Sequence, residues 1–242
     1  MGACHGRIGI VRDGRPILGA VALSFVLAGT TPKAFGAEPS NSVNASEGWK
    51  LVTQTKDVAI YNRPHSGSAL KEFKAIGPID APTHAVHGVI DDFENYPNFM
   101  PYTIECRLVR RERDCLVGYQ RLSPKICADR YYTLRVWNKS WPAAGGVVYL
   151  SQWAPVNELG PPEKKGVVRV KVCDGGWLLE PDGANKTRAP YSVYTDTGGL
   201  IPAFVANRVS QIGIRRLFEA VRKQVKEPKY ALGPQMDTDL HR

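Results

Sequence analysis

The chain is defined first by the catalytic apparatus it lacks. It contains no Gly-x-Ser-x-Gly, no glycine-rich phosphate loop and no His-Glu-x-x-His. These absences remove the serine-hydrolase elbow, the nucleotide cradle and the zinc-protease helix from consideration. Five cysteines are present, but none form a Cys-x-x-Cys and their spacings match no zinc pattern. No internal repeat or low-complexity segment appears, and nothing marks a second domain able to relay a signal. Long apolar runs are missing too, with one exception. Residues 17–29 form an apolar stretch, too short for a comfortable membrane span.

That exception has the layout of an export signal. A basic stretch through Arg15 precedes it, and Ala34-Phe35-Gly36 places small residues where a signal peptidase reads, so cleavage is expected near Ala37. Residues 1–36 are read as a signal peptide, 37–47 as a linker, 48–227 as one domain and 228–242 as a flexible tail. A periplasmic or secreted protein is expected. No cysteine follows the apolar run, so no lipid anchor is indicated. Cys106, Cys115, Cys127 and Cys173 remain, and their disulfide state is left open. The net charge is +9, of which Arg7, Arg12, Arg15 and Lys33 against Asp13 account for three. The moderately basic remainder favours anionic surfaces, membrane or nucleic acid.

Short strand-like runs dominate the rest. Residues 51–55, 58–63 and 70–79 come first, then a helix over 83–93 with Val86, Val89, Ile90 and Phe93 at helical spacing. Six further runs follow: 103–112, 115–122, 130–138, 147–153, 167–179 and 187–195. Short links between them imply antiparallel neighbours. Gly175-Gly176 inside the fifth run predicts a bend or bulge. Last comes a long helix over 200–226, entered through Gly198-Gly199-Leu200-Ile201-Pro202. Val205, Val209, Ile212, Leu217, Val221 and Val225 form its apolar stripe, with Arg208, Arg215, Arg216, Arg222, Lys223 and Lys226 mainly elsewhere. Segregated strands and helices of this kind make an α+β fold. A helix closing a run of antiparallel strands predicts a sheet wrapped around it, enclosing a cavity.

Few residues invite a chemical role. His84 and His87 lie three apart on the first helix, but no third metal ligand accompanies them. Asp91, Asp92 and Glu94 read as a solvated face at that helix's end. On the third of the six later runs, alternation puts Tyr132, Leu134 and Val136 on one side, suited to a cavity wall, and Tyr131, Thr133 and Arg135 on the other. Nucleic-acid binding would need exposed aromatics interleaved with a basic patch, and is not expected.

Several segments taken in order carry a resemblance. They are Trp49, Lys71-Glu72-Phe73-Lys74-Ala75, Tyr96-Pro97, Met100-Pro101-Tyr102, Tyr119-Gln120-Arg121-Leu122-Ser123-Pro124, Asp129-Arg130-x-Tyr132-Thr133-Leu134, Gly166-Val167-Val168-Arg169, Trp177-Leu178-Leu179-Glu180-Pro181 and Gly198-Gly199-Leu200-Ile201-Pro202. Together they resemble the START domain (StAR-related lipid transfer), its bacterial branch above all, over residues 49–226. The resemblance implies a helix-grip fold. A curved antiparallel sheet of about nine strands would surround the C-terminal helix, leaving an internal apolar cavity gated by residues 200–226 and 123–129. It implies non-enzymatic binding or transfer of a lipid or other hydrophobic ligand. A cyclase- or aromatase-like enzyme on the same fold and a ligand-sensing module are the alternatives. One departure stands out: the family usually has Asp-Arg-Asp-Tyr, and here Tyr131 replaces the second aspartate, so an ion pair of the family is expected to be missing. The candidate ligand contacts are Gln120, Tyr132, Leu134, Trp153, Arg169, Ile201, Phe204, Val205 and Val209, with Arg169 matching an arginine on the family's eighth strand. No catalytic residue, metal or cofactor is expected. The expected partners are the ligand and, transiently, an anionic membrane surface; the chain is expected to be a monomer.

Overall fold

The computed structural model describes residues 48–113, 115–124, 127–198 and 201–231. The expected export segment, the linker and the last residues of the expected tail lie outside them. Three strands open the domain: β1 (Lys50–Gln54), β2 (Ala59–Pro64) and β3 (Lys71–Ile79). Helix α1 (Thr83–Asp91) follows Pro82, whose extended backbone cannot continue a helix backwards, and buries Ala85, Val86, Val89 and Ile90 along one face. Then come β4 (Thr103–Arg111), β5 (Cys115–Leu122), β6 (Arg130–Ala143), β7 (Gly146–Pro155), β8 (Val168–Arg169), β9 (Val172–Pro181) and β10 (Thr187–Asp196). Helix α2 (Ala203–Gln224) starts after Pro202.

The sheet order is β1-β2-β3-β10-β9-β7-β6-β5-β4, with the two-residue β8 pairing beside β6. Every pairing is antiparallel except β6 with β8, where Arg130 faces Val168 and Tyr131 faces Arg169. β10 lies against β3, joining the last strand to the first group, while α1 carries the chain from β3 to the strand at the opposite edge, β4. About nine strands were expected, and the tenth arises because the run 167–179 divides into β8 and β9. The β6–β7 hairpin is also longer than expected, reaching Ala143 and turning at Gly145, whose φ of 86° suits glycine.

Gly175 and Gly176 make no bulge. Their pairing with β7 and β10 keeps register throughout. A side chain at Gly175 would stand 2.5 Å from the Trp153 indole and 2.4 Å from the Ser192 carbonyl oxygen, so close approach is the reason for glycine there.

The solid core lies where β2, β3 and β9 meet α1 and the C-terminal half of α2. Ile60, Phe73, Ile79, Val86, Val89, Leu179, Phe218 and Val221 are buried together. The buried row of α2 is Ala206, Ile214, Phe218 and Val221, continuing to Val225, so Ile214 and Phe218 take the central places expected for Ile212 and Leu217. The chain does not leave the domain at Pro228 as expected. Tyr230 is buried, and its hydroxyl and the Lys229 ammonium both donate to Asp92, each at 2.6 Å. Cys106, Cys127 and Cys173 are free thiols. No described helix is long and apolar enough to cross a membrane.

Candidate ligand cavity

Between the sheet and the N-terminal half of α2 lies a cavity of about 590 Å³. Strand register fixes its long axis. Leu122 opposite Arg130, Gln120 opposite Tyr132 and Leu116 opposite Val136 all line it, with Leu134 between and Asn138 beyond. Arg130 to Asn138 spans ~26 Å at the strand rise. Across the space, Ile201, Val205, Val209, Gly213 and Leu217 line it at every fourth residue of the helix and its approach, spanning ~24 Å. Two independent elements therefore give the same length. The remaining wall comes from Trp153 on β7, Cys173 and Trp177 on β9, and Tyr191, Val193 and Thr195 on β10. Ile90, Phe93, Tyr96 and Met100 close the end near α1.

Three polar clusters interrupt this apolar lining. In the middle, Gln120 Nε2 donates to Thr103 Oγ1 at 2.8 Å and Gln120 Oε1 accepts from the Tyr132 hydroxyl at 2.9 Å. At the far end, Ser151 Oγ donates to Asn138 Oδ1 (2.7 Å), Asn138 Nδ2 donates to Asp91 Oδ1 (3.2 Å), and Arg111 Nη1 donates to Asp91 Oδ2 (3.0 Å). At the near end, buried Arg130 donates through Nε to the Thr197 carbonyl and through Nη1 to the Ala128 carbonyl and Cys127 Sγ. Asp91 and Asp92 are thus held by hydrogen bonds rather than merely solvated.

The titratable groups are set away from neutral proton exchange. Burial pushes the phenols of Tyr96, Tyr132 and Tyr191 up and the Cys173 thiol up to about 11. Among the described lining residues Asp91 is the one carboxylate, Arg130 the one guanidinium, and no histidine is present. His87, on the neighbouring helix, stacks on Tyr149 at 4.4 Å and is lowered mainly by burial. The arrangement suits holding an apolar molecule more than moving protons.

Comparison with known proteins gives the family. The family model described as "Polyketide cyclase / dehydrase and lipid transport" matches residues 79–222, more than half of the chain. The chain belongs to this family. An uncharacterized protein of Pseudomonas aeruginosa is 27% identical over 67% of this chain and 79% of its own length. The phosphatidylcholine transfer protein of Mus musculus is 24% identical over 69% of this chain and 78% of its own. Among solved structures, the STAR-related lipid transfer protein of Xanthomonas axonopodis superposes with a TM-score of 0.67 at 24% identity, covering 75% of this chain and 100% of that one. Human StAR-related lipid transfer protein 5 gives 0.64 at 20% identity, covering 75% and 88%. The fold is the helix-grip of START-like proteins.

Within that fold, Gln120, Tyr132, Leu134, Trp153, Ile201, Val205 and Val209 all line the cavity. Two expected contacts do not. Phe204 is 77% exposed, because it lies one helical step off the 201–205–209 row and shares the outward stripe of Arg208 and Arg215. Arg169 pairs in register with Tyr131, whose face points away from the cavity, and donates through Nε to the Tyr131 hydroxyl (2.8 Å) and through Nη2 to the Pro161 carbonyl (2.8 Å). It serves the scaffold. Sequence reasoning missed Asn138 and the row Tyr191, Val193 and Thr195, although the period of two that found Tyr132 and Leu134 points to both. Thr103 and Tyr96 carried no such signal.

Proposed function

We propose that the chain binds a lipid or other hydrophobic molecule in this cavity and hands it to a membrane without catalysing a reaction. The observation that carries this reading is an apolar tunnel closed along its length by a single helix. Each methylene moved from water into such a space gains roughly 0.8 kcal/mol, so affinity needs walls and a gate but no nucleophile. The N-terminal half of α2 is the gate. It is held by Asn207, which accepts from the Lys71 amide and donates to the Ala69 carbonyl, and the helix is pinned just past its midpoint by Arg216 on the Tyr102 hydroxyl. Its outer stripe, Phe204 with Arg208 and Arg215, is suited to an anionic bilayer, at about 1 kcal/mol per basic residue near the surface. The export signal expected at residues 1–36 supports exchange at an envelope membrane.

A cyclase-like enzyme on the same fold is the competing reading. It would use a titratable pair converging deep in the tunnel, whereas Asp91 there is already committed to Arg111 and Asn138. The deciding experiment mixes delipidated protein with vesicles of phosphatidylcholine and phosphatidylglycerol and separates the two. Protein that emerges carrying no lipid sinks the proposal.

A further inference from the structure

Among the described residues lining the cavity, the buried guanidinium of Arg130 is the one charge without a counter-charge. It is 4% exposed. Its hydrogen bonds go to two carbonyls and a sulfur, all neutral or weakly polar acceptors, and Nη2 has no hydrogen-bond partner among the described residues. The carboxylates beside Arg130 and beside its acceptor Thr197 make other hydrogen bonds. Asp129 Oδ2 takes Arg121 Nε and Nη2 at 3.0 and 2.6 Å, and Asp196 Oδ1 takes the Gly198 amide at 2.9 Å. The residue after Arg130 is Tyr131, packed against Arg169 on the opposite face. Asp91 sits at the far end of the tunnel, already held by Arg111. Buried charges in proteins are ordinarily paired, because leaving water without a partner is costly. Here the residue that lacks a partner is one that lines the ligand's space.

The volume limits what the partner belongs to. At about 30 Å³ for each water-sized group, the 590 Å³ cavity admits about 20 non-hydrogen atoms. That is room enough for one long acyl chain. We propose that Arg130 is the anion-binding end of the cavity and that the cargo is a single-chain lipid carboxylate, its tail running inward past Tyr132 and Leu134 toward Asn138. This rests on the lipid-binding function proposed above and narrows it. The carboxylate accepts from Nη2 at the near end, the chain lies between β6 and the helix row Val205–Val209, and the middle cluster of Gln120, Thr103 and Tyr132 stays closed on itself.

The test begins with the native full-length chain. Delipidated protein is titrated with hexadecanoic acid and with methyl hexadecanoate at pH 8, read by the fluorescence of Trp153 and Trp177 in the cavity wall. The acid is expected to bind about ten- to a hundredfold tighter, the worth of a charge-assisted hydrogen bond. This preference disappears as pH falls below the ordinary carboxylate range of about 4 to 5. Arg130→Gln keeps a donor for the Thr197 and Ala128 carbonyls but removes the charge, and it is expected to level acid and ester affinity. Should that variant not fold, the acid-to-ester ratio of the native chain and its pH dependence decide alone. Equal binding of acid and ester, an acid preference that survives Arg130→Gln, or extraction of phosphatidylcholine ahead of the acid overturns the inference and leaves the lipid-binding function standing. Failure to bind any of the three overturns both.

Discussion

The two halves of α2 are built from similar residues and meet different surroundings. In the C-terminal half, Ile214, Phe218, Val221 and Val225 are buried against β2, β3, β9 and α1, and Phe218 packs on Trp177 at 5.1 Å between ring centres. Arg222 adds hydrogen bonds to the Pro78 and Asp57 carbonyls. In the N-terminal half only Ala206 is fully buried, and Val205, Val209 and Gly213 face the cavity. One helix is thus a core element at one end and a cover at the other. The lesson is that apolar periodicity reports a helix's buried side without saying whether that side meets atoms or a void.

That contrast is open to direct attack. Phe218→Ala should cost about 3–5 kcal/mol in urea unfolding, and Val209→Ala about 1 kcal/mol or less, since its neighbours across the cavity are already absent. Equal costs would erase the distinction. Next in size is membrane attachment: replacing Arg208 and Arg215 together by Gln should weaken binding to phosphatidylglycerol vesicles by roughly 2 kcal/mol. Arg222→Gln should leave vesicle binding unchanged and lower stability instead.

Glycines probe the same difference more finely. A Cβ at Gly213 meets nothing within 4 Å, so Gly213→Ala should stabilise the helix by about 1 kcal/mol. A Cβ at Gly77 would stand 2.6 Å from the Asp57 carbonyl oxygen and 3.1 Å from Phe218, so Gly77→Ala should raise the thermal-melting penalty rather than relieve it. Matching signs in the two melting curves would refute the reading.

The smallest effect concerns the segment after α2. Burial raises the Asp92 carboxyl, but hydrogen bonds from Lys229, Tyr230 and Asn95 outweigh it and hold it below the usual carboxylate range. A depressed folded value means stability that is full above the unfolded value of about 4 and lost as pH falls through the folded one. Asp92→Asn should flatten that acid limb of the stability curve; an unchanged limb would assign it to other groups.

Much of the architecture was legible because strands alternate and breakers punctuate. Tyr132, Leu134 and Val136 share a face for no reason beyond the pleat, and that face is the cavity wall. The misses have equally local causes. Phe204 was placed inside on its apolarity alone, though Arg208 one turn on already marked its stripe as outward. Arg169 was carried over by resemblance, and only the register of β8 on β6 shows that it faces Tyr131. The aspartate missing beside Arg130 was visible in the sequence. Its consequence was not, since pairing depends on which carboxylates other side chains have already taken. Thr103 enters the site from a strand end and Tyr96 from a single short 3-10 turn (Phe93–Asn98), where no periodicity announces direction.

The Asp92 clamp has a mechanical consequence. It fastens the chain just past the C-terminal end of α2 to the end of α1, beside the part of the helix already set in the core, so that end acts as a fulcrum. A helix of 22 residues is ~33 Å long. A tilt of about 10° around the fulcrum would carry its free end about 6 Å over that length, a displacement as wide as an acyl chain. Under the proposed gating, the long arm would turn a small repacking around Phe218 into an opening at Val205, and the work would fall on residues set in the core.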